Sequence, residues 1–429
     1  MKAKLLLLSV VAWLCWSCND QCKETRVVRR FSTVTRSLME LRTMVKAESP
    51  RTLQQPGKMY VKGKYLFVNE IKKGIHIIDN SNPASPEFIT FINIPGNGDI
   101  AVRDNILYAD SFCDLVSIDI TDPMEPKEVG RVKNVFKVGL FDGGGWSLNE
   151  SVGSITDQDV EWVTETVTVN CEENISPNWW GGVIWMLADK ASFSGSSSAS
   201  PQSSGGTNGQ AGSMARFALD RNFLYAVSQS EMHLFKIDKP AQPVDFATIN
   251  LGWGIETVFP YNNKLFIGSS TGMFIYDNTN PAEPKQLSNF QHGRACDPVV
   301  VHEDIAYVTL RTGTACAGSQ NQLDLVDISN PAAPQLIKSY QMANPHGLSI
   351  DFPVLFLCEG EHGLKVFDVT DKFSVDRNQL AHFKDMHAYD VISLGKTLLL
   401  IGDDGFYQYD SSNPKDLKLL SKIPVGKAI

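Results

Sequence analysis

Seven times along this chain a short β-rich run ends in aspartate, turns on a polar Pro-containing segment and returns as another apolar run. The copies begin at Ile75, Leu115, Leu234, Met273, Leu323, Leu364 and Phe406, and their aspartates are Asp79, Asp119, Asp238, Asp277, Asp327, Asp368 and Asp410. Five of the six intervals between these aspartates fall between 39 and 50 residues, and the sixth is 119. A period near forty is that of one four-stranded propeller blade, a unit that must stack against copies of itself to bury its faces. The aspartate can accept a hydrogen bond from the backbone N–H two residues on, and proline presets φ, so the motif predicts a tight reversal between consecutive strands. The sixth copy departs by placing Lys372 where the turn proline should be.

The rest of a blade can be read around each motif. Upstream lies a strand rich in aliphatic and aromatic residues, over 65–70, 106–111, 223–228, 264–269, 305–310, 354–359 and 397–402. Before that comes a first strand, such as Asp99 to Val102 or Asp297 to Val301. Glycines at 74, 272, 363 and 405 punctuate the reversal into the motif strand, where positive φ is expected. The expected fold is all-β: a seven-bladed β-propeller over residues 56–426, interrupted by a Trp-rich insertion over 134–213, with an eight-bladed ring as the alternative if the insertion hides a degenerate blade.

A net charge of −9 and a pI near 5.4 exclude a surface that tracks phosphates, so nucleic acid is not an expected partner. Lys2 and Lys4 followed by the apolar run Leu5 to Leu14 have the order of a signal peptide, too short to span a bilayer as a mature helix. Residues 1–18 resemble a bacterial lipoprotein signal in which cleavage leaves Cys18 for lipidation, although Cys15 and Trp16 depart from the usual lipobox. The alternative is an ordinary cleaved signal and a soluble periplasmic protein. Residues 19–55 form the expected tether. Within it Phe31, Val34, Leu38, Leu41 and Val45 recur at the spacing of a short amphipathic helix.

Beyond the repeated L-x-h-x-D core, the stretches IPGNGDIAV (Ile94 to Val102), GSMARFAL (Gly212 to Leu219), CDPVVV (Cys296 to Val301), AYVTLRTGTAC (Ala306 to Cys316) and IGDDGFYQYD (Ile401 to Asp410) resemble the LVIVD-repeat surface lipoproteins of Bacteroides-type bacteria. The resemblance covers about Pro56 to Val425 outside the insertion. It implies a propeller at the outer membrane or cell surface and brings no biochemical activity with it.

Two parts of the insertion differ. Ser192 to Gly212 is Gly, Ser, Gln and Asn with almost nothing apolar, a composition expected to form a flexible loop. Val160 to Val169 is strand-like, and Trp179 to Leu187 is compact and aromatic. Trp146, Trp162, Trp179, Trp180 and Trp185 lie in this insertion, and Trp162, Trp179, Trp180 and Trp185 form a candidate aromatic patch for a glycan or an envelope protein. The competing expectation is that these rings build a small core and dock the insertion on a blade. Cys296 and Cys316 could bridge the long loop of one blade, and Cys113 and Cys171 could tie the insertion to the second blade.

Residues that open the first strand of a blade surround one mouth of the channel. Aligning those starts gives Asp99, Glu256, Asp297 and Asp390, with His346 and His387 close by. Converging carboxylates could hold a hard cation such as Ca2+ or a polar ligand; alternatively they cap strand-end N–H groups in a wet channel. No nucleophile elbow, HExxH helix, phosphate-cradling glycine loop or dinucleotide fingerprint is present. The sequence therefore predicts a non-enzymatic binding or assembly module, with a carbohydrate-active or other hydrolytic propeller using channel-mouth carboxylates as the alternative.

Overall fold

The computed structural model describes residues 21–141, 144–170, 198–199, 210–292, 298–312 and 320–426. They belong to two compact units, one of Met1–Ser32 with Asp159–Lys190 and one of Thr33–Gln158 with Ala191–Ile429. In the first, the N-terminal strand lies beside the strand that ends at Asn170, with Arg30 Nη2 3.4 Å from Glu165 Oε1.

The second unit holds the repeats. Among its described residues six sheets each consist of four consecutive antiparallel strands, over 100–132, 217–250, 255–291, 299–341, 348–383 and 390–424, and four more such strands, over 56–93, are the middle of a seven-stranded sheet that adds Lys46–Glu48 at one edge and Gln210–Ser213 and Ser198–Ala199 at the other. In chain order, with 56–93 first, we call these blades one to seven. From blade one to blade seven the innermost strands of successive blades lie against each other, blade two meeting blade three directly, and blade seven meets blade one through its second strand. Because every blade is covered on both faces by its neighbours, central strands such as Ile106–Ser111 are buried at every position, whereas outer strands such as Lys127–Val132 face solvent. Phe67, Phe235, Phe266 and Phe406 are fully buried, each worth roughly 1.5–3 kcal/mol of burial.

The reversal predicted from the motif is present. The Oδ1 atoms of Asp79, Asp119, Asp277, Asp327, Asp368 and Asp410 accept the N–H two residues on at 2.8–2.9 Å. Asp238 departs because the residue two on is Pro240, which has no N–H; its carboxylate takes Asn222 Nδ2 at 2.6 Å instead. Immediately after each turn the outer strand carries a one-residue bulge, at Ile89, Val129, Phe246, Leu287, Ile337, Leu380 and Leu420, apolar in every blade.

The turns also join the blades. Thr90, Tyr108, Tyr225, Ser288 and Tyr340 donate a side-chain hydroxyl to the turn carbonyls of Met124, Pro240, Pro281, Pro331 and Lys372 on the following blade. Ser421 of blade seven donates to Pro83 O of blade one at 2.6 Å, joining the last blade to the first. The bond from Tyr340 explains why Lys372 is tolerated: what the neighbour reads at this position is a carbonyl, which lysine supplies as well as proline does.

Three local expectations are corrected. The N-terminal segment is a strand through Ser37, and only Leu38–Thr43 is helical, with Leu38 and Leu41 buried. Val27, Val28, Thr33, Val34 and Thr35 are β-branched and find a pairing strand more than a hundred residues away, which outweighs the apolar spacing. Gly272 does not adopt positive φ, unlike Gly74, Gly363 and Gly405. It is needed for space, because a Cβ there would lie 2.6 Å from Phe290 O. Cys113 is a buried free thiol beside Asp114, so it does not tie the insertion to blade two.

Candidate functional site

The channel of the ring receives the returning limb of the insertion. Gln210–Ser213 pairs antiparallel with the inner strand of blade one, Gln210 opposite Val61 and Ala211 opposite Tyr60, and Ser198–Ala199 pairs on its other side. Part of the segment expected to be a flexible loop is thus strand. Pairing with the open inner edge of Pro56–Lys62 satisfies backbone groups without needing apolar side chains, and the small residues Ala211, Gly212 and Ser213 suit a confined space.

From there residues 213–216 cross the channel mouth as a strap held by five blades. Ser213 donates its N–H and its hydroxyl to Asp390 Oδ1 of blade seven, both at 3.1 Å, and its Oγ accepts Leu348 N of blade six at 2.6 Å. Ala215 O accepts Val258 N of blade four at 2.9 Å, and Arg216 O accepts Val227 N of blade three at 2.8 Å. Arg216 N donates to Asp99 Oδ2, at the start of blade two, at 2.5 Å. Gly347 is forced by this packing, since a Cβ would lie 2.3 Å from Asp390 Oδ1 and 2.8 Å from Ser213 Oγ.

Asp99 and Asp390, two of the aligned strand-opening carboxylates, therefore hold the strap from opposite sides. Asp99 is also ion-paired with the buried Lys58 at 2.5 Å. Burial lowers the Lys58 ammonium to about 8 although Asp99 opposes the shift. Burial pushes the Asp390 carboxyl up to about 7, and its Oδ2 accepts no hydrogen bond. His346 lies edge-on to Tyr389 at 5.0 Å, and burial holds its ring well below the ordinary histidine range. His387 is half-exposed beside Asp403, whose carboxylate accepts the Tyr389 hydroxyl at 2.7 Å. Glu256 opens blade four and is partly buried. Among the described residues no three His, Cys, Asp or Glu side chains gather as a cation site. Asp297, Cys296, Cys316, Cys18, Trp179, Trp180 and Trp185 lie outside the described residues, as does the side chain of Trp162.

Sequence reasoning missed a second feature beside the strap. The insertion's first hairpin, Val138–Phe141 with Gly144–Asn149, lays Trp146 edge-on to Phe112 of blade two at 5.6 Å, while Phe141 meets the same ring at 6.4 Å. Trp146 thus docks its hairpin on a blade. Three glycines clear the space: a Cβ at Gly96 would enter the Phe112 ring, one at Gly98 would lie 2.5 Å from Phe141, and one at Gly139 would lie 2.3 Å from Trp146 Nε1. Between hairpin and ring is a narrow cleft of about 20 Å³, room for about one water, lined by Phe112, Phe136, Phe141, Trp146, Phe217, Asp110 and Arg216. Asp110 Oδ1 is saturated, accepting Asn97 Nδ2, Gly98 N and Asp99 N at 2.7–2.9 Å, and burial raises its carboxyl pKa. The signal for this cleft was glycine spacing around an isolated aromatic turn, which has no meaning until the hairpin is placed.

Residues 57–93, 97–134 and 292–342 match the family model of the LVIVD repeat. The chain carries LVIVD repeats. The three matched stretches coincide with blades one, two and five, and the same aspartate turn and outer bulge recur in blades four, six and seven. Among solved structures, the computationally designed Ika8 protein superposes with a TM-score of 0.50 at 8% identity, over 89% of this chain and 92% of that one. Saccharomyces cerevisiae Sqt1 gives 0.49 at 8% identity, covering 89% and 88%. BamB from Moraxella catarrhalis gives 0.48 at 9% identity, covering 90% and 92%. Likeness at such identity concerns the fold alone: LVIVD repeats here build a β-propeller. No curated protein matches this sequence.

Proposed function

We propose that this LVIVD-repeat protein is an exported, lipid-anchored envelope propeller of seven blades that binds a ligand or partner protein on its insertion-bearing face and performs no catalysis. The observation that carries the reading is the commitment of Asp99 and Asp390 to the strap: both are buried, Asp99 holds the N–H groups of Ile100 and Arg216 and the Lys58 ammonium, and Asp390 Oδ1 holds the N–H and hydroxyl of Ser213. A hydrolytic channel mouth needs an acid and a base or nucleophile facing substrate. The raised pKa of Asp390 would suit a general acid, but it arises from burial beneath Ser213 and not from a facing carboxylate. Lipid attachment at Cys18, and with it a place at the outer membrane or cell surface, rests on the order of charge, apolar core and cysteine in residues 1–18.

The test is an array of envelope glycans and peptidoglycan fragments, probed with the purified protein for retention and for release of reducing ends. Retention without product supports the reading. Product formation that disappears in Asp390→Asn or Asp99→Asn overturns it. Metabolic labelling with palmitate, lost in Cys18→Ser, tests the anchor.

A further inference from the structure

The first compact unit sorts its charges by face. The parts of Gln21–Ser37 and Ser154–Asn170 that belong to it pair as a ribbon. Successive side chains along a strand alternate between two faces. Thr25 Oγ1 lies 3.4 Å from Thr166 Oγ1, and Arg30 Nη2 lies 3.4 Å from Glu165 Oε1, which fixes the two registers. Lys23, Thr25, Phe31, Thr164, Thr166 and Thr168 share one face, and all are exposed, Phe31 by 47%. The acids of these segments, Glu24, Asp159, Glu161 and Glu165, all fall in the other register of the sequence, together with Arg26 and Arg30. The threonine register holds Lys23 and Arg29 and no acid. One register is thus purely cationic, with an exposed aromatic ring and a row of hydroxyls, on a chain whose net charge is −9.

We propose that this face of the ribbon docks on an anionic phospholipid surface beside an acyl chain carried by Cys18. Lys23 is five residues from Cys18, at most about 18 Å of extended chain, so an acylated cysteine holds the cationic face within reach of the headgroups. An anionic bilayer favours each basic side chain at its surface by about fivefold in partitioning. The Phe31 ring adds apolar area at the boundary between headgroups and acyl chains, and the threonine hydroxyls can bond phosphate and glycerol oxygens. Acyl anchoring gains permanence from a second, electrostatic signal of this kind. A protein partner fits less well, because the tether keeps this face at the bilayer, where lipid is the most abundant anion. The proposal rests on the lipid-anchored reading and gives the anchor a second membrane contact.

The probe is a pair of vesicles, phosphatidylcholine alone and phosphatidylcholine with about 30% phosphatidylglycerol. They are co-sedimented with the processed chain from residue 19, which contains every described residue and lacks an acyl group, so that no anchor contributes. Expected is binding to the anionic vesicles at least about tenfold stronger than to the neutral ones at about 50 mM salt, and lost at about 500 mM. Lys23→Gln with Arg29→Gln should weaken it by about 25-fold, and Phe31→Ser by several-fold. Arg30→Gln removes the same charge from the same strand on the opposite face, beside Glu165, and should leave binding unchanged. The lipid and salt dependence of the unmutated chain reads the proposal even where a variant fails to fold. Equal binding to both vesicles, no binding by about 5 mM accessible lipid, or equal losses in Arg30→Gln and Lys23→Gln overturns the proposal. Self-association that Lys23→Gln abolishes would also overturn it, by giving the face to a second copy. Such failure leaves Cys18 acylation standing, since palmitate labelling reads it separately, whereas absence of the label would overturn the anchor while the vesicles still read the ribbon.

Discussion

Asn80 and Gln408 exchange two hydrogen bonds, Nδ2 to Oε1 at 2.8 Å and Nε2 to Oδ1 at 2.7 Å, across 328 residues of sequence. Blade one and blade seven are each made of consecutive strands, so no strand is shared between the chain ends to lock the ring. This amide pair, the Ser421 hydroxyl on Pro83 O and the bond from Gly426 N to Leu53 O do that work. Asn80→Ala should cost about 2–3 kcal/mol, because it strands the fully buried amide of Gln408. Asn80→Val combined with Gln408→Leu should cost less than either single change, since no polar group is left unpaired; urea unfolding midpoints of the three variants measure the difference.

Asp390 gives the strap a pH signature. Its folded pKa of about 7 lies above the ordinary 3.8, so between those values the folded protein holds a proton that the unfolded chain has lost. The associated stability is therefore fully present below about pH 4 and is lost as pH rises through 7, roughly 4 kcal/mol in all. Lys58 and Cys358 are the titratable groups facing it, and Lys58, lowered to about 8, adds the opposite slope only above that value. Asp390→Asn should flatten melting temperature against pH between 4 and 7 while keeping the acceptor that Ser213 uses.

Removal of divalent metal should leave the melting temperature unchanged, because Asp99 and Asp390 are already engaged by Lys58 and the strap. Asp99→Ala, by contrast, leaves the buried ammonium of Lys58 uncompensated and should cost about 3–5 kcal/mol. A fall in melting temperature on exhaustive chelation would return the channel mouth to the status of a cation site.

Lys372 offers a stabilising change. Its turn keeps the second reversal bond, from Phe373 N to Asp371 Oδ1 at 3.0 Å, and its neighbour uses only the carbonyl. Lys372→Pro should add about 0.4–1 kcal/mol by restricting the unfolded chain, read as a shift in the urea midpoint.

The blades were legible in the sequence because their information is local. An aspartate bonds the backbone two residues on, and glycine, proline and β-branched runs fix the strands between, so the predicted strands at 65–70, 106–111, 264–269, 305–310 and 397–402 recur unchanged. The site was only half legible. Aligning strand starts found Asp99 and Asp390, but their partner, the strap at 213–216, follows a segment whose composition signals disorder; its order comes from the inner edge of Pro56–Lys62, which no local pattern announces. Trp146 was read correctly as a docking ring's candidate, while the unpaired state of its Nε1 is a property of the assembled cleft.

The strap also has an order in time. Its anchors are contributed by segments running from Asp99 to Asp390, so half of its six bonds, those of Ser213, have no partner until the sixth and seventh blades exist. Local hairpins form early and contacts between distant segments late, because loop closure must come first. A chain folding from its first blade would stack its blades with an open bore and seat Ser213 across it last, so that the seated strap marks a ring that has completed its assembly.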